Sequence, residues 1–160
     1  MKISKSASIA LTQENLLLKY ENNFLKNKIN FNEKQTDSLS TANGGSILVI
    51  DDEEPIRLLL EEELKEIGYT VILAHSGEEG INIFSKTQID IVILDINMPG
   101  INGLEILRIL KNKNNNVPVV LYSAFTEFKE KIEIWAADAY VKKSADLRVL
   151  FDTIGRFLLK

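Results

Sequence analysis

Residues 91–100 have the sequence IVILDINMPG, which is the most informative segment of the chain. Four apolar residues lead into an acid and then into a Pro-Gly turn, which predicts a buried strand that ends at Asp95. A buried parallel strand has no structural use for a carboxylate at its carboxyl end, whereas ligand sites in open α/β sheets lie beyond those ends. The alternative is that Asp95 only caps the following turn, because Asp is common before Pro-Gly.

Length and composition exclude several classes of protein. The 160 residues suffice for one domain with a modest extension. There is no Cys, which excludes a thiol nucleophile and a cysteine metal site and fits a reducing cytosol. No apolar segment approaches the roughly 18 to 20 residues that span a bilayer. From residue 46 onward the net charge is −6, which argues against direct contact with nucleic acid. We therefore expect a cytoplasmic protein without membrane insertion.

The first 45 residues differ in composition from the rest. They are rich in Asn, Lys and Ser, carry a net charge of +2 and end in the linker-like SLSTANGG of residues 38–45. Apolar residues recur at helical spacing, which is compatible with a short amphipathic helix over about residues 12–29. We interpret residues 1–45 as a flexible extension and residues 46–160 as the folded domain. The alternative for the extension is a docking helix, although short isolated helices are unstable in water.

From Ser46 onward, strand and helix patterns alternate. Pro55 opens the first predicted helix and Gly68 ends it, and a capping box at Ser76 starts the second. Apolar periodicity marks a third helix around residues 104–110, a short fourth over 127–136 and a last one after Ser144. The predicted strands are 47–50, 70–74, 91–94, 117–122 and 139–142. This alternation predicts a parallel sheet with helices on both faces.

Polar side chains follow the carboxyl ends of these strands and should meet at one edge of the sheet. They are Asp51, Asp52, Asp95, Ser123 and Lys143. Three carboxylates on one rim need a counter-charge, and oxygen ligands with positions left for water suit Mg²⁺ better than zinc. With a metal in place, one carboxylate could attack phosphorus, while the lysine and the hydroxyl bind phosphoryl oxygens.

Four segments in this order resemble the receiver domain of two-component response regulators over about residues 46–159. They are ILVIDDEEPIR, VILDINMPGINGLEIL, LYSA and ADAYVKKS. The resemblance implies an α/β, flavodoxin-like, doubly wound sheet of five parallel strands in the order 2-1-3-4-5. It implies that Asp95 is the phosphoacceptor, that Asp52 binds Mg²⁺ directly and that Asp51 binds it through water. The main-chain carbonyl of Asn97 would be a further ligand.

The resemblance also assigns the opposite side of the site. Ser123 takes the position of the switch hydroxyl and Lys143 that of the invariant lysine. Tyr140 matches the aromatic residue that turns inward on activation, which is compatible with its packing as a strand aromatic. The family usually has Pro after the lysine; here Ser144 follows, and we interpret it as the N-cap of the last helix. We interpret His75 as a solvated loop residue and not as a phosphocarrier.

The function implied by the resemblance is that of a phosphoacceptor response regulator. It would take a phosphoryl group from a histidine kinase or a histidine phosphotransfer protein and signal through a conformational switch. It would catalyse its own phosphorylation and dephosphorylation without being a metabolic enzyme. Because the last apolar helix position lies close to Lys160, we expect a stand-alone receiver that acts on a separate downstream protein. A phosphorylation-dependent dimer is compatible with this function.

Three alternatives remain open from the sequence. A degenerate receiver would bind partners without phosphate, although the complete acidic site argues against it. A phosphatase of the haloacid dehalogenase type would have a second acid at the position of Asn97. A flavin carrier would bring its phosphate against Asp51 and Asp52.

Overall fold

A computed structural model describes the chain at residues 44–124 and 136–158. Five strands in these ranges form one parallel sheet in the order β2-β1-β3-β4-β5. They are β1 (Ser46–Ile50), β2 (Thr70–Ala74), β3 (Ile91–Leu94), β4 (Val119–Ser123) and β5 (Ala139–Lys142). The predicted fold and strand order are confirmed. Most of the predicted extension and of the predicted fourth helix lies outside the described residues.

Helices cover both faces of the sheet. The described helices are α1 (Glu54–Glu66), α2 (Gly77–Lys86), α3 (Gly103–Lys113) and α4 (Arg148–Leu158). The first and last contact strands from one face, while α2 and α3 contact each other and pack on the other. None of these helices has the length and hydropathy that crossing a bilayer requires.

The core follows from the alternation of side chains along each strand. Leu48, Val92 and Leu121 belong to one buried cluster with Ile106 and Leu107 of α3. Their strand neighbours point to the opposite face, where α1 and α4 lie. Because both faces are covered, every residue of β3 is buried. This explains why the strands read as unbroken apolar runs in the sequence.

The C-terminus of α1 ends as the sequence predicts. Gly68 has a φ of 96°, a left-handed conformation that glycine adopts without steric cost. Its N–H donates to the Lys65 carbonyl at 3.0 Å, and the Tyr69 N–H donates to the Leu64 carbonyl at 3.1 Å. This pair of bonds is a Schellman motif, which satisfies carbonyls that the helix leaves free.

The start of α2 uses half of the predicted capping box. Ser76 Oγ accepts a hydrogen bond from the Glu79 N–H at 3.3 Å. The Glu79 carboxylate does not complete the box, because it accepts from the main-chain N–H of His75 at 2.7 Å. The predicted cap at Ser76 is therefore confirmed. The Glu79 carboxylate, however, accepts from the N–H of His75, the residue before the cap, and not from the N–H of Ser76.

Two predicted boundaries are wrong. β4 begins at Val119, after Pro118, and includes Ser123. The Pro118 carbonyl accepts from the Val92 N–H at 2.9 Å, but proline has no N–H to donate in return. Ser144 is not the N-cap of the last helix, because α4 begins at Arg148. Its hydroxyl instead donates to the carbonyl of Asp146 at 2.8 Å. The described peptide bonds are all trans, including the one between Lys143 and Ser144.

A polar anchor fixes the amino edge of the sheet beside β4 and β5. Lys111 Nζ donates to Asp138 Oδ2 at 2.9 Å and to the carbonyls of Asn115 and Val117 at 3.0 and 3.2 Å. The same Asp138 oxygen accepts from the Val119 N–H at 2.7 Å. The Lys111–Asp138 pair therefore joins the end of α3 to the starts of both strands.

Candidate functional site

The carboxyl edge of the sheet brings the predicted site residues together. Asp51 and Asp52 follow β1, Asp95 follows β3, Ser123 ends β4 and Lys143 follows β5. Asp51 and Asp95 are 2% and 3% exposed and Ser123 is fully buried, whereas Asp52 is exposed. Parallel strands place these ends on one edge because every connection returns the chain to the same side.

The ammonium of Lys143 is the centre of this group. Its Nζ lies 2.7 Å from Asp51 Oδ2, 2.7 Å from Asp95 Oδ2 and 2.8 Å from Glu53 Oε1. Burial would lower the pKa of Lys143, but the hydrogen bonds and charge of its acidic partners, Asp51 first, raise that pKa above its ordinary value. Lys143 therefore stays charged and is the counter-charge of the site.

Hydrogen bonds fix both the side chain and the main chain of Asp51. Its Oδ1 accepts from the Glu53 N–H at 2.9 Å, and its main-chain carbonyl accepts from Arg57 Nη1 at 2.7 Å. Burial raises the pKa of Asp51 to about 6, even though the hydrogen bond and charge of Lys143 act to lower it. Desolvation is therefore the larger influence at this carboxylate.

Asp95 is fixed by the loop that follows it. Its Oδ1 accepts from the Asn97 N–H at 3.0 Å, and its own N–H donates to the Ile50 carbonyl at 2.9 Å. This loop lies against the start of α3 at Gly103, where a Cβ would meet the Ile96 Cα at 2.5 Å. Only glycine allows so close an approach.

Ser123 ends β4 and Tyr140 lies within β5. No group within the described ranges is a hydrogen-bond partner of the buried Ser123 Oγ, whereas the Ser123 carbonyl accepts from the Lys143 N–H at 2.9 Å. Tyr140 is half-buried and packs against the core cluster. Burial raises the pKa of Tyr140, and the negative charge of Asp95 raises it further. The tyrosine hydroxyl is therefore within the electrostatic influence of Asp95.

The acidic residues suit a divalent cation. Asp51, Asp52 and Asp95 each have one carboxylate oxygen that lies within 4.8 Å of the other two. These hard oxygen donors match the ligands that Mg²⁺ prefers. The predicted fourth ligand residue, Asn97, follows Asp95 by two positions and is exposed.

Two residues near the site were not predicted from the sequence. Glu53 contacts Lys143 through its side chain, and Arg57 contacts the main chain of Asp51. The one available signal was a Glu at the helix N-cap, where Ser, Thr, Asp or Asn is preferred. His75 is 69% exposed and its Nδ1 lies 2.5 Å from Glu79 Oε2, so it is a surface residue as interpreted.

A doubly wound parallel sheet with buried acids and a lysine at its carboxyl edge is typical of flavodoxin-like phosphoryl-accepting domains. The chain matches the model of the response regulator receiver domain over residues 47–155 and belongs to that family. It is therefore a receiver domain of a response regulator in two-component signalling, and receiver domains are signalling proteins.

Two curated relatives from Bacillus subtilis illustrate the similarity. The uncharacterized transcriptional regulatory protein YkoG is 36% identical over 113 residues, which cover 69% of this chain and 49% of YkoG. Sporulation initiation phosphotransferase F is 32% identical over 115 residues, which cover 70% of this chain and 92% of that protein. The chain spans about half or less of the length of the transcriptional regulators that it matches.

Solved structures show the same architecture. The response regulator TrrA of Thermotoga maritima, in complex with Mg²⁺ and beryllofluoride, is 41% identical with a TM-score of 0.70, covering 71% of this chain and 99% of TrrA. A complex of histidine kinase ThkA with TrrA matches with 41% identity and a TM-score of 0.68, covering 71% of this chain and 98% of the matched one. Chemotaxis protein CheY4 of Vibrio cholerae is 27% identical with a TM-score of 0.67, covering 72% of this chain and 99% of CheY4.

Proposed function

We propose that this receiver accepts a phosphoryl group on Asp95 from a histidine kinase or a histidine phosphotransfer protein. The observation that carries the proposal is the buried Asp95 carboxylate, held between Lys143 Nζ at 2.7 Å and the Asn97 N–H at 3.0 Å. Two further carboxylates lie beside it. A carboxylate fixed in this way can act as a nucleophile towards phosphorus.

Each residue at the carboxyl edge of the sheet has its own role in the proposed reaction. An Asp95 oxygen forms a bond to phosphorus as the bond from phosphorus to the donor's histidine nitrogen breaks, and that nitrogen keeps the electron pair. Lys143 binds one phosphoryl oxygen as a point charge. Asp51, Asp52, Asp95 and the Asn97 carbonyl would hold Mg²⁺, which when bound neutralises charge on the phosphoryl oxygens.

Ser123 would convert phosphorylation into a structural change. Its buried hydroxyl has no partner in the described part of the chain, so a phosphoryl oxygen on Asp95 would give it one. Movement of Ser123 towards that oxygen would leave room for Tyr140 to turn inward from its half-buried position. The two side chains would thus form the switch between inactive and active states.

A comparison supports the proposed class of phosphoryl donor. TrrA, 41% identical to this chain, is found in complex with the histidine kinase ThkA. We propose that this receiver, residues 46–160, acts in the cytoplasm on a downstream protein and binds no nucleic acid itself. A dimer that forms on phosphorylation would fit the same function.

The test is incubation of the full chain with acetyl phosphate and Mg²⁺, followed by intact mass. We expect one added phosphoryl group, lost in Asp95→Asn and retained in Asp152→Asn, which removes an exposed carboxylate from α4. Omission of Mg²⁺ should abolish the adduct. If the unmodified protein gains no adduct under these conditions, the chain is a phosphate-independent binding module.

A further inference from the structure

We infer that Glu53 is a positioning residue that holds Lys143 in the unphosphorylated arrangement and must release it when Asp95 is phosphorylated. Glu53 Oε1 lies 2.8 Å from Lys143 Nζ, although the two residues are 90 positions apart. The inference rests on the proposed function, because it concerns how the same lysine becomes available to a phosphoryl group.

The main chain of Glu53 is fixed at the start of α1. Its N–H donates to Asp51 Oδ1 at 2.9 Å. Its carbonyl accepts from the N–H groups of Ile56 and Arg57, both at 3.1 Å. The side chain therefore extends from a rigid point, and its contact with the lysine does not depend on a mobile loop.

The side chain of Glu53 is not used for capping. Glu53 is the N-cap residue of α1 but makes no side-chain cap hydrogen bond. Residues at this position usually cap the helix through a side-chain oxygen. Here the carboxylate accepts a hydrogen bond from Lys143 instead, which points to a role in the site and not in helix formation.

The three contacts of Lys143 leave it no donor for a phosphoryl oxygen. An ammonium has three hydrogens, and the acceptors are Asp51, Asp95 and Glu53. The side chains of Asp51 and Asp95 are 2% and 4% exposed, whereas that of Glu53 is 58% exposed. Water can solvate Glu53 when it is released, so exchange of Glu53 for the phosphoryl oxygen costs least.

The contact can be tested without a bound ligand. In the metal-free full chain, the Lys143 ammonium should give a slowly exchanging signal in nuclear magnetic resonance, because its side chain is 6% exposed. Glu53→Ala should accelerate this exchange. Glu54→Ala removes the same charge and the same atoms from the neighbouring exposed position, and it should leave the signal unchanged. Equal exchange in all three proteins would overturn the inference.

Beryllofluoride with saturating Mg²⁺ then tests the consequence. Glu53→Ala should bind this phosphoryl mimic roughly two- to fivefold more tightly, the range expected for a partly exposed ion pair, and Glu54→Ala should match the wild type. Equal affinity or weaker binding by Glu53→Ala would overturn the inference. If the wild type and Glu54→Ala bind no beryllofluoride, the proposed function itself fails, and the inference fails with it.

Discussion

Lys143 Nζ lies 2.7 Å from Asp95 Oδ2, although 48 residues separate them in the sequence. β4 lies between the strands that carry them, so the lysine reaches across the end of that strand, where Ser123 is buried. The contact connects the acidic residues that follow β1 and β3 with the lysine that follows β5. It also makes the stability of the protein depend on the charge state of its site.

Replacing Lys143 should destabilise the metal-free protein strongly. Lys143→Met leaves the buried carboxylates of Asp51 and Asp95 without their cation, and we expect a loss of about 3–5 kcal/mol in the free energy of unfolding. Urea unfolding in the presence of a chelator measures this loss. Lys65→Met, which breaks the exposed pair with Glu61, should cost no more than about 0.5 kcal/mol. Similar losses in the two variants would contradict the conclusion that Lys143 stabilises the buried carboxylates.

Asp51 should make stability depend on pH in the metal-free protein. Its pKa is raised from 3.8 to about 6 in the folded state, so the folded protein holds this proton more tightly than the unfolded chain does. The resulting stabilisation is complete below the lower of these values and is lost as the pH rises through the higher one. Asp51→Asn should therefore gain on the order of 1–3 kcal/mol relative to wild type between about pH 4 and pH 7.

Chemical unfolding across this pH range, in the presence of a chelator, provides the measurement. Asp52→Asn removes an exposed carboxylate one residue away and should keep the wild-type profile. An Asp51→Asn profile parallel to that of the wild type would show that burial does not disfavour ionisation of Asp51.

Two serine substitutions should have opposite effects on stability. Ser123→Ala removes a buried hydroxyl that has no partner among the described residues, so the free energy of unfolding should stay the same or rise by up to about 1 kcal/mol. Ser76→Ala removes the cap of α2 and should cost about 1 kcal/mol. Thermal unfolding of both variants tests this contrast, and a clear loss in Ser123→Ala would show that its hydroxyl is satisfied.

Gly103 should tolerate no side chain. An added Cβ would lie 2.5 Å from the Cα and 2.7 Å from the carbonyl oxygen of Ile96, so Gly103→Ala must displace the loop after Asp95. We expect a loss of about 3 kcal/mol or more and weaker Mg²⁺ binding in a calorimetric titration. Gly100→Ala meets no atom within 4 Å and bears only the strain of its φ of 90°, about 1 kcal/mol. Equal effects would contradict a steric origin.

The sheet could be predicted because both of its faces are covered. The runs 47–50 and 91–94 are apolar without interruption, and each ends at an acid. Alternation with helical segments then leaves few arrangements other than a parallel sheet. The site followed from the same logic, since Asp51, Asp95 and Lys143 each follow a strand end.

Other features depend on distances that no pattern in the sequence reports. The contact of Glu53 with Lys143 requires the ends of β1 and β5 to lie within the reach of two side chains. Ser144 has the sequence signature of a cap, but its hydroxyl bonds to the nearby Asp146 carbonyl, and the helix begins four residues later. Local hydrogen bonds of this kind compete with capping.

The Lys111–Asp138 pair also matters for the direction of the Lys143 side chain. It fixes the start of β5, while the bond from the Lys143 N–H to the Ser123 carbonyl fixes the other end. Because β5 is held at both of its ends, the backbone that carries Lys143 has little freedom to shift. The direction of the ammonium towards Asp95 is therefore set by the sheet as a whole and not by the residues around the lysine alone.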